Sequence, residues 1–135
     1  MFLADIALAF AFASALEFAP HAFSERSSLV GVSPTAAVDT TVYTCPKGYY
    51  AKFTVMYIHN TGGSTKHITV QWYDASANTT LDILTQYNFT SKNYLQFDGN
   101  AYIVLEEDDK LKITTEAGSS FSFIATFEQE GLTRA

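Results

Sequence analysis

Side chains able to do chemistry are few and scattered in this sequence of 135 residues. Of the histidines His21, His59 and His67, the last two flank Gly62-Gly63, so a hairpin there would bring two imidazoles together. Two imidazoles begin a metal site, but the sequence offers no third ligand beside them. They read as polar residues at strand ends. The single cysteine, Cys45, cannot form an intrachain disulfide, and its surroundings, Tyr43-Thr44-Cys45-Pro46, suit a buried thiol. The densest charge is Glu106-Glu107-Asp108-Asp109. A calcium loop alternates its oxygen ligands and turns on a glycine, which this run does not do. It is expected to be an exposed turn that deters edge-to-edge association. Asp74 and Asp82 could be imagined as a carboxylate pair, but no companion base stands near them, so both are read as turn residues around Ala75-Ser76-Ala77-Asn78. There is no nucleophile elbow, phosphate loop or dinucleotide fingerprint. The expectation is a protein with no catalytic residues, no cofactor and no metal, and so not an enzyme.

Aromatic residues are the richer signal. The chain holds eleven Phe and eight Tyr, is 47% hydrophobic and only 16% charged, against a usual charged share of about 25%. A charge-poor, aromatic-rich surface suits coverage by partners. Tyr49, Tyr50, Tyr73 and Tyr94 fall at strand ends or opposite the apolar positions and are candidate surface contacts, for a sugar or for another subunit. The net charge of −6 and the absence of a basic cluster argue against a nucleic-acid partner. Asn78-Thr79-Thr80 and Asn88-Phe89-Thr90 fit the glycosylation sequon, as chance permits in a threonine-rich chain.

The elements that carry these residues differ along the chain. Residues 2–19 are rich in Ala, Leu and Phe and favour helix, which Pro20 stops. Large side chains fall all round that helix, broken by Asp5, Ser14 and Glu17, so it needs burial on most sides. A secretory signal peptide would want a basic start, although Ala13-Ser14-Ala15 resembles a cleavage site. A membrane span would want a longer stretch without acids, and no membrane partner is expected. The third reading is an assembly arm whose Leu3, Ile6, Phe10, Phe12 and Leu16 are buried by sister subunits or a larger partner. Residues 20–40, with Pro20, Ser24, Ser27, Ser28, Gly31, Ser33 and Pro34, read as an extended connector. The chain therefore divides into an arm and connector over 1–37 and a domain over 38–135.

From Val38 the hydrophobic period becomes two. Phe53-Val55-Tyr57, Ile68-Val70-Trp72, Leu81-Ile83-Thr85-Tyr87-Phe89, Leu111-Ile113 and Phe121-Phe123-Ala125-Phe127 alternate mainly with polar residues, although Met56 and Ile58 blur the first run. Turn chemistry separates the runs: Pro46-Lys47-Gly48, a hairpin loop at Asn60–Ser64, Asp98-Gly99-Asn100, Glu106–Asp109 and Ala117-Gly118-Ser119. About eight short strands with no helical period after Pro20 predict an all-β fold. The expected architecture is an antiparallel, jelly-roll-like β-sandwich with an N-terminal hydrophobic helical arm. Val55, Val70, Trp72, Ile83, Ile113, Phe123 and Phe127 form its predicted core.

Several stretches also carry a family resemblance. Thr41–Phe53, with its Cys45-Pro46-Lys47-Gly48, joins Ile58-His59-Asn60, Val70-Gln71-Trp72-Tyr73-Asp74 and the acidic turn from Leu105 to Ile113. Together they resemble small tailed-bacteriophage virion proteins over roughly residues 40–128. At the late turn Asp108-Asp109 stand where that family usually has Gly-Asp. The resemblance implies a non-enzymatic part of a phage particle: a capsid decoration or cement protein, or a fibre or knob module that recognises host glycans. It implies a homo-oligomer, commonly a trimer, located in the virion beside the major capsid protein or another virion protein. A mean hydropathy of +0.04 fits a chain partly covered by neighbours.

Overall fold

Period-two runs of Phe, Ile, Val and Leu bury one face of most strands, and eight strands close on one another as two sheets. The computed structural model describes residues 25–132, and their side chains except those of 25–27 and 99–102. The expected helical arm, with Leu3, Ile6, Phe10, Phe12 and Leu16, lies outside the described residues. The strands are β1 (Glu25–Val32), β2 (Thr40–Thr44), β3 (Tyr49–Asn60), β4 (Lys66–Asp74), β5 (Thr79–Phe89), β6 (Tyr94–Leu105), β7 (Lys110–Thr115) and β8 (Phe121–Gly131).

One sheet has the order β1-β8-β3-β6 and the other β2-β7-β4-β5, and every pairing is antiparallel. Only β4 and β5 follow each other within one sheet; every other connection crosses between sheets. That is the jelly-roll winding. The Asn60–Ser64 loop is accordingly a crossing between sheets and not a hairpin, because β3 and β4 lie in different layers. Buried Asn60 fixes the crossing: its amide donates to the carbonyls of Ser64 (2.9 Å) and Phe89 (3.0 Å), and its Oδ1 accepts from Gly62 N–H.

The core sits between the layers. Phe53, Ile58, Phe123 and Phe127 come from the first sheet, and Ile68, Val70, Leu111 and Ile113 from the second. Phe127 stacks on Tyr43 of the opposite sheet, with ring centroids 3.8 Å apart, and on Phe53 at 5.2 Å. Along β7 and β8 the expected alternation is kept throughout. On β3 it is not. A bulge between Phe53 and Val55 inserts one residue against β8, so Met56 and Ile58 turn inward while Val55 and Tyr57 turn outward. Val55 therefore leaves the predicted core. Trp72 and Ile83 are only partly buried and pack on its flank.

Two further expectations change. Residues 20–40 were expected to be a connector, yet Glu25–Val32 forms a continuous ladder with β8. Serine and glycine read as loop, but Val30 and Val32 pack on the core and β8 supplies the partner that a local pattern cannot reveal. The turn expected at Asp98-Gly99-Asn100 lies inside β6, where pairing jumps from Asp98 to Ile103 opposite the bulge in β3. At the rim where β5 and β6 end the two layers, an apolar gap of about 220 Å3 opens between Phe53, Met56, Ile83, Leu84, Leu95 and Phe97.

Candidate assembly surface

The two outer faces of the sandwich differ sharply in chemistry. On the β2-β7-β4-β5 sheet the outward side chains satisfy one another. Gln71 donates to Asp82 (2.8 Å), Thr85 donates to the same carboxylate (2.6 Å), Lys112 pairs with Asp39 (2.9 Å), and Lys110 lies 5.6 Å from the Tyr73 ring centre. Leu81 and Tyr87 are exposed on β5, but they stand opposite Trp72 and Ile68, on the inner face at the open rim.

The outer face of β1-β8-β3-β6 carries apolar groups instead. Gly31, Ile124, Tyr57 and Gln96 share one row across its four strands. Leu29 and Val55 stand in the next row on one side, and Tyr94 on the other. Leu29 is 72% exposed, Tyr94 56% and Ile124 40%. Tyr94 stacks on Tyr57 at 5.5 Å. These apolar groups are interspersed with Thr126, Asp98, Gln96, Ser122 and His59 in the same rows, whereas solvated sheet faces are normally polar.

One end of the sandwich gathers the first and last described strand ends with the turns after β2, β4 and β6. Asp109, expected to be exposed, is 1% exposed and joins them. Its carboxylate accepts from the Trp72 indole (3.1 Å), from Ala75 N–H (2.9 Å) and from Glu106 N–H (2.9 Å). Glu107 accepts from Gly48 N–H, Asp108 pairs with Lys47, and Cys45 N–H donates to the Asp109 carbonyl (2.9 Å). Gly48, at φ +83°, gives the turn its left-handed corner. The acidic run thus latches three turns together, with Asp109 buried among them where an exposed turn was expected.

Beside this latch lies an open cleft of about 530 Å3, lined by Tyr49, Tyr50, Val104, Leu132, Glu106 and Glu107. Of the four expected contact tyrosines, Tyr49 and Tyr50 meet there, half-buried, with Tyr50 donating to Glu130. Tyr73 is half-buried on the opposite sheet and donates to Asn78 (2.8 Å). Tyr94 belongs to the apolar face. The four are therefore distributed over three places. Leu29, Tyr57 and Ile124 were not singled out from sequence. Ile124 had a signal, being the one large apolar side chain at an outward position among Ser122, Thr126 and Glu128.

The candidate carboxylates, the histidine and the thiol are engaged locally. Asp74 accepts from Ser76 and Ala77, and Asp82 from Thr85 and Gln71, and these hydrogen bonds hold both carboxyls below their ordinary values. A proton-sharing pair would raise one of them. His67 lies 3.6 Å from Glu116, and no group of three His, Cys, Asp or Glu among the described residues could hold a metal ion. The Cys45 thiol is fully buried, and burial, followed by Asp109, Glu107 and Asp108, pushes it up to about 11. At pH 8 that leaves roughly one thiolate per thousand molecules, so Cys45 is expected to react with a disulfide reagent only after unfolding. Rapid stoichiometric labelling of the native chain would contradict its burial.

The sequence matches no family model and no curated protein. Solved structures share the fold. The structure of infectious bursal disease virus, Gx strain, aligns with a TM-score of 0.50 at 10% identity, over 82% of this chain and 33% of that one. A mutant VP2 protein of infectious bursal disease virus, in derived T=1 particles, aligns with a TM-score of 0.50 at 12% identity, over 81% and 32%. The disulfide-linked pili of Bacillus endospore appendages align with a TM-score of 0.47 at 13% identity, over 89% and 97%. The chain spans about one third of the length of the viral chains, and at this identity the likeness establishes fold alone.

Proposed function

We propose that this chain is a non-enzymatic structural component of a bacteriophage particle, a capsid decoration or cement protein held by its N-terminal arm and by subunit contacts. The observation that carries the reading is the asymmetry of the two outer faces: one sheet is polar and self-paired, and the other offers Leu29, Tyr57, Tyr94 and Ile124 to a neighbour. The tailed-phage resemblance supports it, as does a fold shared with proteins of another virus particle. Its partners are sister copies and the major capsid protein or another virion protein.

The arm divides the labour. β1 begins at the end of the sandwich where the acidic latch lies. In a trimer, three copies would bury Leu3, Ile6, Phe10, Phe12 and Leu16 near an axis or against the shell, leaving Asp5 and Glu17 outside, since an unpaired buried carboxylate is costly. Deleting residues 1–24 is expected to leave a folded β-rich domain that no longer attaches to its particle, and Phe10→Asp is expected to do the same in the full-length chain. Add-back to particles lacking the protein, with circular dichroism of each variant, checks both. Undiminished attachment of the truncated chain would overturn the role of the arm.

A second reading has one observation in its favour. The cleft between Tyr49, Tyr50, Glu106 and Glu107 offers aromatic surface beside carboxylates, the pairing that sugar rings and their hydroxyls require. A fibre or knob recognising host glycans would use it. Loss of glycan binding in Tyr50→Ala, with particle attachment intact, would favour that reading over cement.

A further inference from the structure

Sheet edges present unpaired backbone amides and carbonyls, and a protein that is to avoid pairing there must interrupt them. This fold has edges at β1 and β6 in one sheet and at β2 and β5 in the other. Three are interrupted. β2 is five residues long and shifts register between Thr41 and Tyr43. β5 shifts twice against β4 and carries Gln86 at φ 42°. The β6 ladder breaks between Asp98 and Ile103. β1 alone runs unbroken against β8 from Glu25 to Val32. It contains no proline and no lysine, and Leu29 at its middle is the most exposed large hydrophobic residue among those described.

We infer that β1 is the edge to which a second copy of this chain adds, antiparallel and β1 to β1, about a two-fold axis through Leu29. Facing residues of an antiparallel pair share a face of the sheet, so this register sets Leu29 against its own copy, Ser27 against Gly31, Ser28 against Val30 and Arg26 against Val32. Glu25 and Arg26 stay at the ends of the ladder, away from their copies. Gly31 supports the same geometry. A Cβ added there meets nothing within 4 Å and its backbone is not left-handed, so the single subunit does not require glycine at that place. The bare backbone leaves the second copy's Leu29 an open path toward Ile124, which faces Gly31 on β8. The product is one continuous sheet, β6-β3-β8-β1-β1-β8-β3-β6, with an isologous contact that closes on itself. Such a contact would join arm-bound oligomers in pairs, but it rests on the strand edge and not on the particle role.

Cross-linking of the full-length chain tests it without any particle. Directly opposed α-carbons in an antiparallel pair lie about 4.5–5.5 Å apart, within the span of a disulfide. Leu29→Cys is expected to convert mostly to a disulfide dimer in oxidised glutathione, with buried Cys45 taking no part. Ser27→Cys, whose copies would lie roughly 13 Å apart along the strands, is expected to stay uncoupled. A monomeric Leu29→Cys, or equal coupling of the two variants, would overturn the proposal. Independently, Leu29→Lys is expected to weaken self-association in sedimentation by at least about tenfold, roughly 1.4 kcal/mol. An unchanged dissociation constant would overturn it equally.

Discussion

Phe127→Ala is expected to destabilise the domain by about 3–5 kcal/mol, the range for removing a large aromatic from a closed core. Phe127 is fully buried and touches both layers, stacking on Tyr43 across the sandwich and on Phe53 within its own sheet. Truncation leaves a void with aromatic walls that cannot easily close, because Tyr43 is itself held by a hydrogen bond from buried Gln129. Chemical denaturation should show a lower midpoint at nearly unchanged slope. Leu29→Ala, on the outer face, should change the unfolding free energy of the single subunit by no more than about 0.5 kcal/mol. Equal losses from the two variants would mean that the core has been placed wrongly.

The second large effect is expected at Asp109. Its carboxylate takes hydrogen bonds from Trp72, Ala75 and Glu106, and bonds to a charged acceptor contribute about 1.5–3 kcal/mol each. Asp109→Ala should therefore cost about 3 kcal/mol or more, some of the freed donors recovering water. The damage should also be local in kind: the turns at 75–78 and 106–109 lose their common anchor, and amide exchange there should rise more than along β8. Asp109→Asn keeps the shape but opposes an amide donor to one of the N–H groups, so it should fall between wild type and alanine. There is a competing effect, because Glu106, Glu107 and Asp108 crowd the same turn and neutralising Asp109 relieves their repulsion. If Asp109→Asn proves as stable as wild type, repulsion outweighs the hydrogen bonds and the latch is misread.

These two residues mark what sequence patterning could and could not deliver. The faces of β7 and β8 follow from alternation, since Leu111, Ile113 and Phe127 each sit between polar neighbours and only Ile124, beside Phe123, breaks the pattern. The face of β3 past Phe53 was not legible. A bulge reverses every later side chain, and it shows only in the pairing with β6 and β8, whose residues are distant in sequence. β1 was missed because Ser27, Ser28 and Gly31 resemble a loop until β8 is present to pair with them. The acidic turn was read as solvated because its partners, the Trp72 indole and the Ala75 amide, are distant in sequence. The apolar outer face was half visible: Tyr94 was singled out and Ile124 had a signal, whereas Leu29 acquires meaning only when the register places it diagonally from Ile124.

The polar face and the latch stabilise one subunit, while the proposed role gives the apolar face, the β1 edge and the N-terminal arm to neighbours. Quantitative mass spectrometry of the purified phage particle tests most directly whether those neighbours are its parts. The expected result is this chain at a copy number comparable to that of the shell subunit, released together with loss of particle stability when residues 1–24 are removed. A few copies per particle would move the chain from shell to fibre. Its absence from the purified particle would contradict the account.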